Sequence, residues 1–115
     1  RPVSAWRAFQ VPAMAFINNG AETMLKKILL ICDPGHGWGL VECKELRELG
    51  IAEKISSCSY LSRSGKVAAL EEDCDLPIYI AALNKAGVDC TYDEEYQENT
   101  EIRDWDSYSA ARVSL

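Results

Sequence analysis

The sequence predicts a small α+β domain in which an antiparallel sheet carries two helices on one face, in the order β-β-α-β-β-α-β. Three observations lead to this prediction. The chain has 115 residues, which suits one domain with one core. Apolar residues make up 48% and charged residues 26%, as in ordinary globular proteins. Short apolar runs of strand length are separated by turn residues and by two amphipathic segments of helical length.

The first half of the domain is predicted to contain a hairpin and a helix. Residues 27–32, KILLIC, form a short, continuous run compatible with a β-strand, and the turn sequence Asp-Pro-Gly follows at 33–35, so a strand followed by a turn is predicted. Residues 39–42 are expected to pair back onto it. Residues 43–49 have leucines at three-residue spacing, and Gly50 follows at the position that favours a left-handed helix cap.

The second half is predicted to contain another hairpin and a final strand. Residues 57–61 and 66–70 alternate in character and are separated by a four-residue loop that ends in Gly65. This arrangement is typical of two antiparallel strands. Residues 88–96 alternate again, which predicts the last strand of the sheet.

The second helix lies between these strands. Either Asp73 or Asp75 is expected to cap its start, and Pro77 suits its first turn. Its end is predicted at Gly87. The side chains expected to form its buried stripe are Leu76, Ile80 and Leu83.

The chain is predicted to divide into three parts. Residues 1–23 are expected to be a loosely attached leader or tail, because they contain two prolines and little periodicity. Residues 24–97 are expected to form the α+β domain. Residues 98–115 are expected to be an acidic, polar C-terminal tail.

Charge is distributed unevenly along the chain. The net charge is −6, but residues 24–70 sum to +2 whereas residues 71–106 sum to −10. A nucleic acid is therefore not an expected partner, because binding a phosphate backbone requires lysine and arginine. No apolar run approaches the length needed to cross a bilayer, so a membrane is not an expected partner either.

The five cysteines predict no disulfide framework. Their number is odd, and no two of them have the close spacing of a zinc knuckle. Each cysteine lies in or beside an apolar stretch, so we expect reduced and mostly buried thiols. Reduced thiols favour a cytoplasmic location.

The sequence Asp33-Pro34-Gly35-His36-Gly37 resembles the entry motif of zinc-dependent cell-wall amidases, in which the histidine is a metal ligand. A catalytic zinc needs three protein ligands, and His36 is the only histidine in the chain. We therefore predict no catalytic residue, no metal and no cofactor. The alternative is a metal site built from His36 and Asp33.

Two polar clusters are candidates for binding. The sequence at 33–38 either forms a tight turn or displays His36 and Trp38 as a binding patch, and tryptophan is a common hot-spot residue. The second cluster, residues 71–75 (EEDCD), either caps a helix or provides oxygen ligands for Mg²⁺ or Ca²⁺. The residues hypothesised to bind a partner are Asp33, His36, Trp38, Glu71, Glu72, Asp73, Asp75, Glu94, Glu95 and Glu98.

Three segments of the sequence stand out together, and they are DPGHGW at 33–38, ELGIAEKISSCSYLS at 48–62 and ALEEDCDLPIYIAALNKAG at 69–87. Together they resemble a family of small uncharacterised proteins of tailed bacteriophages and prophages. The resemblance covers about residues 27–96. It implies a mobile-element origin and a bacterial host cytoplasm as the setting, and it implies no reaction.

Two functional hypotheses follow. The first is a non-enzymatic protein-binding module that engages a host or phage protein through its acidic surface and the DPGHGW loop. The alternative is a small metal-dependent hydrolase using His36, Asp33 and the carboxylates at 71–75. An open sheet edge would also allow two copies to pair as a homodimer.

Overall fold

The computed structural model describes residues 14–18 and 21–114, with side chains from residue 24 onward. The strands in this part of the chain are β1 (Met14–Asn18), β2 (Ala21–Cys32), β3 (Gly37–Glu42), β4 (Tyr60–Leu61), β5 (Val67–Glu71), β6 (Val88–Tyr96) and β7 (Asp106–Ser107). The α-helices are α1 (Cys43–Glu48) and α2 (Leu76–Lys85). Short 3-10 helices lie at Ala52–Lys54, Glu101–Asp104 and Ala110–Arg112. The α+β class and the two predicted helices are confirmed.

The sheet is mixed, and the prediction of a purely antiparallel sheet is wrong. Its order is β1-β2-β3-β5-β4-β7, and β6 pairs with β2. The β2–β6 pair is parallel, with Met24 opposite Val88 and Cys32 opposite Tyr96. The other pairs are antiparallel. The direction of β6 follows from α2, which carries the chain across the sheet after β5 and returns it in the same direction.

Both faces of β2 are buried, which explains its continuous apolar sequence. Ile28 and Leu30 point to the face that carries both helices, where they pack with Leu46, Leu76 and other apolar side chains. Leu29 and Ile31 point to the opposite face. That face is covered by Ile102 and Trp105 from the C-terminal segment. The two α-helices therefore cover only one face, as predicted.

The two predicted hairpins are present. Strand β2 pairs with β3, and β4 pairs with β5. Helix α1 ends as predicted, because Gly50 has a φ of +74° and the amide of Ile51 donates to the carbonyl of Leu46. Strand β4 contains only Tyr60 and Leu61 of the predicted 57–61, because the residues before it form a turn held by serine side chains.

Helix α2 differs from the prediction in its cap and its stripe. Asp75 lies at the cap position, but its carboxylate makes no capping hydrogen bond. The buried residues are Leu76, Tyr79 and Leu83, and Ile80 is only partly buried. Gly39 of β3 has no room for a side chain, because an added Cβ would lie 2.7 Å from Leu76 Cδ1. This close approach allows α2 to pack directly on the sheet.

The segment that we expected to be a polar tail, residues 98–115, contributes to the domain as far as the structure describes it. Strand β7 pairs with β4, and the side chains of Ile102, Trp105 and Tyr108 are buried. The Tyr108 hydroxyl donates to the carbonyl of Ala52 at 2.6 Å. Most carboxylates of this segment remain exposed. Its acidic composition therefore gives no indication that these three side chains are buried.

The predicted leader lies only partly within the described residues. Residues 14–18 form β1 and pair with residues 21–25 of β2, so this part extends the sheet. The rest of the predicted leader, residues 1–13 and 19–20, lies outside the described residues. Over the described part of the chain, no helix has the length and apolar character needed to cross a membrane.

Candidate functional site

The loop after β2 is held by Asp33. Its Oδ1 accepts hydrogen bonds from the amides of Gly35 and His36, at 2.9 and 2.8 Å. Its two carboxylate oxygens also accept from Arg103, with Nε at 2.6 Å from Oδ2. The Arg103 hydrogen bond is the main reason that the pKa of Asp33 is held well below its ordinary value. Asp33 therefore fixes the loop and joins it to the C-terminal segment.

Trp38 is buried, and the prediction that it forms an exposed binding patch is wrong. Its exposed fraction is 1%. The Arg103 guanidinium lies over its ring at 5.1 Å, and the rings of His36 and Tyr60 lie 6.0 and 6.1 Å from it. Its Nε1 has no hydrogen-bond partner among the described residues. Trp38 faces the core because strand β3 alternates and Ile102 and Trp105 close this side of the sheet.

His36 and Glu71 are brought together across the sheet. Nδ1 of His36 lies 3.1 Å from Oε2 of Glu71. The His36 side chain is 51% exposed, whereas that of Glu71 is 10% exposed. The other Glu71 oxygen accepts from the amide of Asp73 at 2.8 Å. Glu71 is thus fixed from two sides and orients the imidazole toward the surface.

A buried hydrogen-bond network lies beneath this pair. Asp75 Oδ2 accepts from the hydroxyls of Ser56 and Ser59, at 2.8 and 2.5 Å, and Oδ1 accepts from the amide of Ser56 at 3.1 Å. The amide of Glu71 donates to the Ser59 hydroxyl at 3.0 Å. These bonds join the turn before β4 to the turn before α2. Asp75 therefore acts as a structural anchor rather than a surface carboxylate.

The arrangement provides one His–carboxylate pair and no complete metal site. Among residues 24–114, no group of three or more histidine, cysteine or carboxylate side chains is placed to hold a metal ion. Asp33, the proposed second ligand, is bound to Arg103. Ser59 is fully buried and already hydrogen-bonded. His36 therefore pairs with Glu71, whereas Asp33 and Ser59 are engaged by other partners.

The remaining acidic residues differ in what they contact. Glu95 accepts from the side chain of Gln97, and Glu98 accepts from the hydroxyl of Tyr96. Asp73 is exposed. Glu72 and Glu94 approach the thiol of Cys32, where burial first and then their charges raise the pKa of that thiol. Glu72 and Glu94 therefore lie close to the same thiol, although they come from different elements.

Glu72 and Glu94 line a groove between α2 and β6. The groove has a volume of about 550 Å³. Its apolar lining includes Leu30, Leu76, Pro77, Ile80 and Tyr92. Neither carboxylate pairs with a lysine or arginine among the described residues. The groove thus combines an apolar floor with two uncompensated negative charges.

Comparison of the chain with protein-family models, with curated proteins and with solved structures finds no match.

Sequence reasoning missed Arg103 and the groove. Arg103 and Lys85 are the only basic residues between 71 and 106, so an isolated arginine in an acidic segment was a usable signal. No comparable signal pointed to the groove, because its residues come from separate elements. The alternation of residues 88–96 predicts a strand, but it gave no indication that Tyr92 is 45% exposed.

Replacing Arg103 with leucine should lower the melting temperature near neutral pH, and the difference from the wild type should shrink as the pH falls. The folded-state pKa of Asp33 is depressed, so its pairing stabilises the fold above the unfolded pKa of about 3.9 and stops doing so as the pH falls through the folded value. Thermal unfolding between about pH 6 and pH 2 would measure this. If the difference in melting temperature stays constant over this pH range, the ion pair is not the cause of the difference.

Arg112→Leu is the matched control for this experiment. Arg112 pairs with Asp106 at 3.1 Å, but both side chains are more than half exposed. Exposed pairs contribute little, so we expect a small change at every pH.

Proposed function

We propose that this protein is a non-enzymatic protein-binding module that receives a basic, extended segment of a partner protein along β6 and the neighbouring groove. The observation that carries this proposal is the groove itself, in which Glu72 and Glu94 face an apolar floor without a cationic partner in the described part of the chain. A lysine or arginine side chain matches this chemistry, because its stem is apolar and its end is positively charged. The DPGHGW loop contributes structure to the module rather than contact surface.

The free edge of β6 supports an extended partner. Strand β6 pairs with β2 on one side, and no described strand pairs with its other side. An unpaired edge presents amides and carbonyls to which a further strand can add. Tyr92 and Tyr96 are 45% and 60% exposed on this strand, and amphipathic aromatic side chains are common at protein interfaces.

Charge favours a basic partner over a second copy of the chain. Strand β6 carries four carboxylates, Asp89, Asp93, Glu94 and Glu95. Two copies paired along this edge would bring like charges together, which is unfavourable. A basic segment would be attracted to the strand and guided to it in solution. We therefore do not propose a homodimer, and the binding experiment includes a test for one.

The proposed setting is the cytoplasm of a bacterial host, and the proposed origin is a phage or another mobile element. The three segments that resemble the phage family support this origin. The free thiols of the described cysteines fit a reducing compartment.

The double variant Glu72→Gln/Glu94→Gln should bind a basic peptide about tenfold more weakly than the wild type. Glu72 and Glu94 are both exposed, and two exposed ion pairs together contribute roughly 1.4 kcal/mol, which corresponds to that factor. The probe is a fluorescent peptide that alternates lysine with valine and threonine, and fluorescence anisotropy measures its affinity at two salt concentrations. A peptide with glutamate in place of lysine should not bind.

The control is the double variant Glu48→Gln/Glu53→Gln, which removes the same charge from exposed positions near α1. It should bind almost as well as the wild type. An equal loss in both variants would show that only net charge matters, and no loss in either would contradict the groove assignment. Concentration-dependent mass in analytical ultracentrifugation, with no peptide binding, would favour a homodimer.

A further inference from the structure

Two of the five cysteines are exposed, which corrects the expectation of mostly buried thiols. Cys43 is buried, and Cys32 and Cys90 are intermediate, but Cys58 and Cys74 are exposed. Cys58 lies in the turn before β4, and Cys74 lies in the turn before α2. Exposure on turns makes both thiols accessible to small molecules in solution.

Hydrogen bonds between the neighbours of these cysteines hold the two turns side by side. Ser59 follows Cys58, Asp75 follows Cys74, and the Ser59 hydroxyl donates to Asp75 Oδ2 at 2.5 Å. Ser56 binds the same carboxylate through its amide and its hydroxyl. The hydroxyl of Ser56 also accepts from the amide of Cys58 at 3.1 Å. The backbone next to Cys58 and the backbone next to Cys74 are therefore both fixed.

The two turns place the thiols near each other, because the residues that follow Cys58 and Cys74 are hydrogen-bonded to one another at 2.5 Å. Hydrogen bonding with the Cys58 thiol is the largest cause that raises the pKa of Cys74 to about 11. Burial raises the pKa of Cys43 to about 11, and it is also the main cause that raises the pKa of Cys32 and Cys90. Cys58 and Cys74 therefore combine two properties, exposure and mutual proximity, that the other cysteines do not share.

We propose that Cys58 and Cys74 are a redox modification site, at which a small-molecule disulfide such as glutathione disulfide converts the two thiols into a reversible intramolecular disulfide. The Cys58 thiolate attacks a sulfur of glutathione disulfide, and one glutathione leaves as its thiolate. Cys74 then loses its proton and attacks the Cys58 sulfur, which releases the second glutathione. The protein loses two electrons and two protons, and glutathione disulfide is reduced to two glutathione molecules.

The disulfide would lock the turn before β4 onto the turn before α2. It would close a loop that contains β4 and β5, and closing such a loop stabilises the folded state by restricting the unfolded chain. The bond would also hold the residues that position Asp75 and Glu71. Glutathione at the redox potential of the cytoplasm would reverse it unless oxidant accumulates.

Peptide mapping can identify this bond without ambiguity. Trypsin releases residues 55–63, whose only cysteine is Cys58, and residues 67–85, whose only cysteine is Cys74. After the purified full-length protein is incubated with glutathione disulfide, mass spectrometry without reductant should find these two peptides joined. The melting temperature should rise by roughly 5–15 °C, and dithiothreitol should reverse both changes.

Three serine variants complete the experiment. Cys58→Ser and Cys74→Ser should form no joined peptide and show no rise in melting temperature, whereas Cys90→Ser should behave like the wild type. Wild-type protein that carries only bound glutathione, or that joins other cysteines, would overturn the proposal. Peptide binding by the reduced protein is measured separately, so failure here is distinguishable from failure of the proposed function.

Discussion

Trp38→Ala should lower the free energy of unfolding by about 3–5 kcal/mol, which is the usual range for removing a fully buried aromatic side chain. Trp38 is 1% exposed and contacts the Arg103 guanidinium and the ring of Tyr60. Its loss would leave a cavity between the sheet and the C-terminal segment. Urea denaturation followed by circular dichroism would measure the change.

Trp38→Phe is the matched control. Phenylalanine keeps most of the ring contacts and removes the indole N–H, which has no partner among the described residues. An unsatisfied buried donor is unfavourable by about 1–3 kcal/mol, so its removal should offset much of the lost volume. We expect the phenylalanine variant to remain within about 1.5 kcal/mol of the wild type. Equal destabilisation by both substitutions would indicate that the N–H has a partner in solution.

The same pair of variants separates stability from binding. Trp38 lies on the face of the sheet opposite the groove. At a temperature where Trp38→Ala remains folded, it should bind the basic peptide with nearly wild-type affinity. If the folded variant specifically loses affinity for the peptide, the DPGHGW loop is part of the binding surface.

Asp75→Ala should lower the free energy of unfolding by about 3 kcal/mol. Asp75 is 2% exposed, and it accepts two hydrogen bonds from Ser56 and one from Ser59. Hydrogen bonds to a charged group contribute about 1.5–3 kcal/mol each, and the serine groups would lose their shared acceptor. Chemical denaturation would measure the effect, and amide exchange should rise in the turn before β4.

Asp73→Ala is the neighbouring control, since Asp73 is exposed and its side chain makes none of these hydrogen bonds. We expect a change within about 0.5 kcal/mol. A large effect of Asp73→Ala together with a small effect of Asp75→Ala would mean that Asp73 caps α2 and that the serine network is weak.

Local patterns predicted most of the secondary structure. The apolar run at 28–32, the glycines at 50 and 87 and the alternation of residues 88–96 each produced the expected element. These signals are local, because periodicity and glycine conformation act within a few residues. The contact between His36 and Glu71 joins the two polar clusters that the sequence offers as binding candidates.

The remaining features depend on contacts between distant segments. Residues 88–96 read as a strand, but nothing within them specifies β2 as a parallel partner. Residues 98–115 have a polar composition, and the burial of Ile102, Trp105 and Tyr108 depends on an apolar sheet face that their own segment does not reveal. Its position before α2 makes Asp75 one of two candidate caps, whereas the serine side chains that it binds lie in another turn.

The parallel pairing of β2 with β6 also has a consequence for synthesis on the ribosome. β2 is translated before the strand that covers its second edge and the side chains that cover its second face, which lie within residues 88–105. At about 5–20 residues per second, this apolar strand waits for seconds before β6 emerges. An apolar strand exposed during that interval is prone to aggregate, so co-expression of a chaperone should raise the soluble yield.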